Sequence, residues 1–117
     1  MVKKLGQGDV YWLDFSASSG SAPSERHPCV VVQSDVFNHS RIATTVVCLI
    51  TSNMDRAAAP GNVALRKGEA GLPKASVVNV SQVVTVYKID LESRIGKLSS
   101  SATTLVLRGL RLLFEGD

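Results

Sequence analysis

The sequence predicts a mainly β protein, a small and strongly curved barrel with one α-helix packed on it at the C-terminal end. Short segments rich in branched and aromatic residues recur along most of the chain, separated by Gly, Pro, Ser and Asn. One stretch of helical period follows them. A length of 117 residues makes a single domain, 1–117, so some seven short strands have to curl around one core.

The elements follow in order. Residues 9–15 alternate, with Val10, Trp12 and Asp14 on one face and Tyr11, Leu13 and Phe15 on the other. Trp12 and Phe15 read as core or dimer contacts rather than base-stacking platforms. Residues 16–27 carry no hydrophobic period and read as a long loop of the kind that is usually functional or mobile. Pro28 opens a strand over 29–33, where a missing N–H is tolerated. Residues 34–38 suit a short capped helical turn after this second strand. Residues 44–51 (TTVVCLIT) are almost continuously apolar and predict a central strand buried on both faces. A connection over 52–61 leads to a strand at 62–66. A turn at 68–73 precedes two strands, 76–80 and 83–87, with Ser81 and Gln82 between them, and 94–98 make a further short strand. Ser99 to Ser101 offer N-caps for a helix running to about Phe114. Its packed stripe is expected at Leu105, Val106, Gly109, Leu110 and Leu113, with its last turn at a dimer contact.

Composition removes many functions. Thirteen Lys and Arg against ten Asp and Glu give a net charge of +3, which suits a polyanionic partner without demanding one. Cys29 and Cys48 lie in apolar runs without CxxC spacing and read as reduced core residues. No apolar stretch follows the N-terminal lysines, and the longest apolar run, 46–50, is far short of a membrane span, so a cytoplasmic protein without a membrane partner is expected. Only two histidines, His27 and His39, are present. They form no ligand-spaced set with Cys or carboxylates, so no metal is expected. Gly6-Gln7-Gly8 is too short for a phosphate loop and precedes a strand. No cofactor is expected, which leaves chemistry done by imidazole, guanidinium, hydroxyls and amides.

Two segments can supply it. Ser24-Glu25-Arg26-His27-Pro28 puts a guanidinium beside an imidazole at a strand entrance. Thr51-Ser52-Asn53 puts two hydroxyls and an amide at the exit of the apolar strand. Taken alone, each also reads as an ordinary solvated loop or turn.

With these residues the chain resembles the MazF/PemK family of toxin endoribonucleases. The matching segments are Gly8 to Phe15, Gly20-Ser21, Arg26-His27-Pro28 followed by CVVV, Phe37-Asn38, and Leu49-Ile50-Thr51-Ser52-Asn53. Pro60-Gly61-Asn62-Val63, Leu72 to Gln82 and Arg94-Ile95-Gly96-Lys97-Leu98 complete them, in order over about residues 6–115. The resemblance implies an SH3-like barrel, a homodimer, and metal-independent cleavage of single-stranded RNA at short sequences, giving 2′,3′-cyclic phosphate and 5′-hydroxyl ends. It also implies a cognate antitoxin whose acidic tail covers the RNA groove.

Carried over by residue, the family's threonine matches Thr51, with Ser52 beside it. The family's arginine before the proline is His27 here, and Arg26 stands one position earlier. An Arg-x-Asp pair that takes part in catalysis in some members reads Asn79-Val80-Ser81. His27 and Thr51 are therefore the expected central pair, with Arg26 as electrostatic support. An imidazole titrates near neutrality and can act as acid or base, whereas a guanidinium can only stabilise charge. Base readers are expected among Asn53, Asn79, Ser81 and Gln82, with Ser21 and Gln33. Arg41 and Arg56, with Arg66 and Lys67, are candidates for phosphate contacts. Two other readings stay open: a non-catalytic toxin of the same fold resembling the gyrase poison CcdB, and an SH3-like binding module.

Overall fold

A computed structural model describes residues 4–14 and 26–116. Alternation in strand β1 (Asp9–Asp14) sets the two sides of its sheet: Val10 joins one apolar cluster, Tyr11 and Leu13 the other. Strand β2 (Arg26–Val31) repeats the division, with Val30 on the first side and Cys29 and Val31 on the second. A four-residue helix α1 (Asp35–Asn38) leads to β3 (Thr44–Thr51), whose Cys48 and Ile50 face the first cluster and Val47 the second. That strand is the central one, and its bounds are those expected from its apolar run.

Strands β4 (Val63–Leu65), β5 (Ser76–Tyr87) and β6 (Leu91–Lys97) complete one six-stranded sheet in the order β4-β5-β3-β2-β1-β6. Every pairing is antiparallel. The sheet stays open, with β4 and β6 at its edges, so it is a barrel only in the loose sense of a curled SH3-like sheet. Helix α2 (Ser100–Glu115) packs on the first side through Ala102 and Val106, and the Ser99 hydroxyl accepts the Ala102 N–H at 3.1 Å as its N-cap.

The structure corrects several expectations. There are six strands among the described residues, because 76–80 and 83–87 are one strand. Cys48 pairs with Val83 and the next residue, Leu49, pairs with Asn79. Val80, Ser81 and Gln82 are thus a bulge within β5, not a connection. Arg26 and His27 belong to strand β2 rather than to a loop. Pro28 sits inside that strand, one residue beyond the last β2–β3 pair, Cys29 with Leu49, so its missing N–H costs no bond to β3. On α2 the buried residues are Ala102, Val106 and Gly109, while Leu105 and Leu113 are 47% and 43% exposed. The reason is a close approach. Gly61, at φ +77°, turns the chain under the helix, and a Cβ on Gly109 would run into the Gly61 carbonyl oxygen. The helix meets that turn at Gly109 and packs Ala102, Val106 and the partly buried Leu110 on the first apolar cluster, which leaves Leu105 and Leu113 off the contact. Phe15 lies outside the described residues. No described helix is long and apolar enough to cross a membrane.

Cys29 and Cys48 are free, fully buried and on opposite sides of the sheet, so no disulfide can join them without breaking the register.

Two outcomes test this packing. In a helix alanine gains about 1 kcal/mol over glycine, but Gly109→Ala should still lower stability by about 1–3 kcal/mol, because backbone on backbone cannot give way; urea unfolding measures it. Burial pushes both thiols up to about 12. Unfolded thiols titrate near 8.5, so above that pH the unfolded chain binds fewer protons and stability should fall as pH rises. At pH about 8 a thiol reagent should label neither cysteine in the folded protein and both of the chain's 2 cysteines after denaturation.

Candidate active site

The β2–β3 ladder pairs Cys29 with Leu49. Carried on two residues, the same register sets His27 level with Thr51. Here the strands part, and the space between them is a cleft of about 330 Å³. Arg26, His27, Thr51, Ser52 and Lys74 bring polar groups to its lining, and Trp12, Ile50 and Leu72 bring apolar surface. All four residues expected to carry the chemistry are therefore in one place. A larger cavity, about 580 Å³ between β4 and α2, is lined by Val63, Ala64, Leu105 and Leu112 together with Arg108. It holds none of these groups.

Each cleft side chain has its own setting. The Thr51 hydroxyl oxygen accepts the Asn53 N–H at 3.1 Å, so its own proton can be donated to a ligand. Arg26 is already engaged: its Nε lies 3.0 Å from Glu92 Oε1 and its guanidinium carbon 5.0 Å from the centre of the Trp12 ring. The ion pair is about half exposed on both sides, so it adds at most about 1 kcal/mol and serves to orient the guanidinium. Trp12 corrects the reading of it as a core residue; it belongs to neither apolar cluster and forms a wall of the cleft. Among the described residues no three His, Cys, Asp or Glu side chains could hold a metal ion.

Residues 6–114 match the family described as PemK-like, MazF-like toxin of type II toxin–antitoxin system. The chain belongs to that family. It is 44% identical to the endoribonuclease MazF6 of Mycobacterium tuberculosis over 111 residues, which are 95% of this chain and 97% of the relative. Its fold is similar to that of a mycobacterial endoribonuclease solved in complex with its cognate antitoxin, with a TM-score of 0.76, 20% identity and 95% of both chains covered. It is also similar to the MazE–MazF structure from Deinococcus radiodurans, with a TM-score of 0.78, 17% identity and coverage of 98% and 99%.

Within this PemK/MazF-family fold, the other expected RNA-contacting residues fall away from the cleft lining or into structural work. Asn53 caps a 3-10 turn (Met54–Ala58), its side-chain oxygen accepting the Asp55 N–H at 3.1 Å. Asn79, Ser81 and Gln82 bond to one another in the β5 bulge. The Asn79 amide donates to Gln82 Oε1 at 3.1 Å, and the Ser81 hydroxyl donates to Asn79 Oδ1 at 3.0 Å. Gln33 donates to Asn38 Oδ1 at 2.9 Å and to the Thr44 carbonyl at 3.2 Å, beside α1. Arg41 and Arg56 are exposed and outside the cleft lining. Ser21 lies outside the described residues.

Sequence reasoning missed Asn62. Its Oδ1 accepts the Val80 N–H and its Nδ2 donates to the Arg56 carbonyl, both at 2.9 Å. One side chain so ties the bulge to the 3-10 turn after Thr51-Ser52-Asn53. The Pro60-Gly61-Asn62 run was its only sign. Asn62→Ala should cost about 1–3 kcal/mol, since it strands a part-buried N–H. Faster hydrogen exchange at Val80 and a lower urea midpoint would register the loss.

Proposed function

We propose that this chain is an endoribonuclease toxin that cuts single-stranded RNA at short sequences without a resident metal. In this reading it leaves 2′,3′-cyclic phosphate and 5′-hydroxyl ends and is neutralised by a cognate antitoxin. The observation that carries the reading is the meeting of His27 and Thr51 in one open cleft; family membership and the endoribonucleases among its relatives support it.

The chemistry asks little more. The ribose 2′-oxygen attacks the adjacent phosphorus and loses its proton, a phosphorane forms, and the P–O5′ bond breaks as that oxygen gains a proton. Attack and departure lie on opposite sides of phosphorus. One imidazole therefore serves one proton transfer directly, and solvent in the open cleft serves the other. Thr51 donates its hydroxyl proton to a non-bridging oxygen, and Ser52 extends that contact. Arg26, held over the Trp12 ring and against Glu92, steadies the phosphate's surroundings.

The partner readings rest on charge and exposure. A net charge of +3 suits an acidic antitoxin segment, in keeping with the relatives solved with antitoxins. The homodimer uses the apolar end of α2, where Phe114 is 73% exposed beside Leu113.

A long single-stranded RNA, incubated with the protein in EDTA and sequenced at its 5′-hydroxyl ends, tests the reading and reports the motif. Cuts at one short sequence are expected. His27→Ala should slow them about 10²–10⁴-fold, the usual share of a general acid or base, and Thr51→Ala should slow them as well. Intact RNA with the wild-type protein, or undiminished cutting by His27→Ala, would overturn it.

A further inference from the structure

The cleft lining holds two permanent cations, Arg26 and Lys74. They are not equivalent. Arg26 faces Glu92 at 3.0 Å, and a guanidinium paired with a carboxylate presents almost no net charge to an incoming polyanion. Lys74 is exposed, and its ammonium makes no ion pair or hydrogen bond among the described residues.

Its backbone is nevertheless held. Leu72 is 2% exposed and anchors the segment in the core, its carbonyl accepting the Gly68 N–H at 2.9 Å. The ring of Pro73 fixes its own φ and confines Leu72 before it to extended backbone. The buried Ser76 hydroxyl, itself at the cleft, then donates to the Lys74 carbonyl at 2.9 Å. An exposed ammonium on a long stem thus lines the cleft from a main chain that is held in place. Lysine contacts phosphate as a point charge and needs no fixed fork geometry.

We propose that Lys74 is a phosphate-contacting residue of the RNA-binding cleft and supplies its uncompensated positive charge, while Arg26, balanced by Glu92, contributes shape and stacking. This rests on the ribonuclease reading above and adds a residue to its substrate contacts.

Counterion release provides a readout that a merely structural role would not move. For single-stranded nucleic acid, each phosphate neutralised adds about 0.7 to the slope of log affinity against log salt. Binding would be measured on an RNA carrying the mapped cleavage motif, with 2′-deoxyribose at the cut position to prevent reaction. Lys74→Ala should make the slope shallower by about 0.7, so a fourfold rise in salt costs about threefold less affinity than in the wild type. Lys74→Arg should restore the slope, and the double change Arg26→Gln with Glu92→Gln, which removes no net charge, should leave it nearly unchanged. Circular dichroism and thermal unfolding would check that the exposed substitutions leave the fold intact. If the wild type cuts RNA but Lys74→Ala keeps the full slope, or if the Arg26→Gln, Glu92→Gln double variant takes the loss instead, the assignment to Lys74 is wrong and the ribonuclease reading stands. If the wild type cuts no RNA, that reading fails and takes this one with it.

Discussion

The register between β2 and β3 is the constraint on which everything else depends. Side chains along a strand alternate with a period of two, so a slip of one residue would send every group to the other face. With Cys29 opposite Leu49, the thiol packs into the second apolar cluster, Val30 and Cys48 pack into the first, and the polar ends of both strands come level. The ladder stops there and the strands splay. The core therefore specifies the register, and the register brings an imidazole and a hydroxyl together that stand 24 positions apart in the chain. Burial of Val47, Cys48 and Ile50 does for the cleft what no local motif could.

Much of this was legible in the sequence. The bounds of β3 followed from its apolar run, and the N-cap and extent of α2 from Ser99 and the helical period. His27, Thr51, Arg26 and Ser52 were singled out as residues at strand ends, and such ends are where a curled sheet exposes side chains. What could not be read depended on contacts distant in sequence. A bulge looks like a turn when Ser81 and Gln82 interrupt an apolar pattern, and only the pairing of β3 with β5 distinguishes the two. The stripe of α2 was right at Val106, Gly109 and Leu110 and wrong at Leu105 and Leu113, because its exact position depends on Gly61 approaching Gly109, which periodicity within the helix does not contain. The side chains that Asn79 and Gln33 bond to inside the fold could not be read either, because an amide's type is visible in sequence and its partners are not.

The polar groups divide into those that are spent and those that are available. Around Asn38 and around Asn79, amides and hydroxyls satisfy each other and nearby backbone, and no buried side-chain polar atom among the described residues lacks a partner. Such networks hold loops at low cost but offer little to a ligand. Two groups at the cleft differ. Thr51 accepts one bond and keeps its donor, and Lys74 makes none of the bonds its ammonium could make. Groups left in this state mark a surface meant to meet something, whereas those with complete hydrogen bonding mark scaffold.

An open sheet carries two rows of backbone donors and acceptors that another chain's strand could recruit. Strand β4 answers this by its length, since three residues are too few to template a lasting pairing. Strand β6 spans seven residues and answers by charge, with Glu92, Arg94 and Lys97 exposed along it. Glu92 thus has two duties: it guards the margin against self-association and steadies the guanidinium at the mouth of the cleft. Replacing it with an apolar residue would loosen the guanidinium and open the margin to strand pairing, which couples the solubility of this chain to the order of its reactive centre.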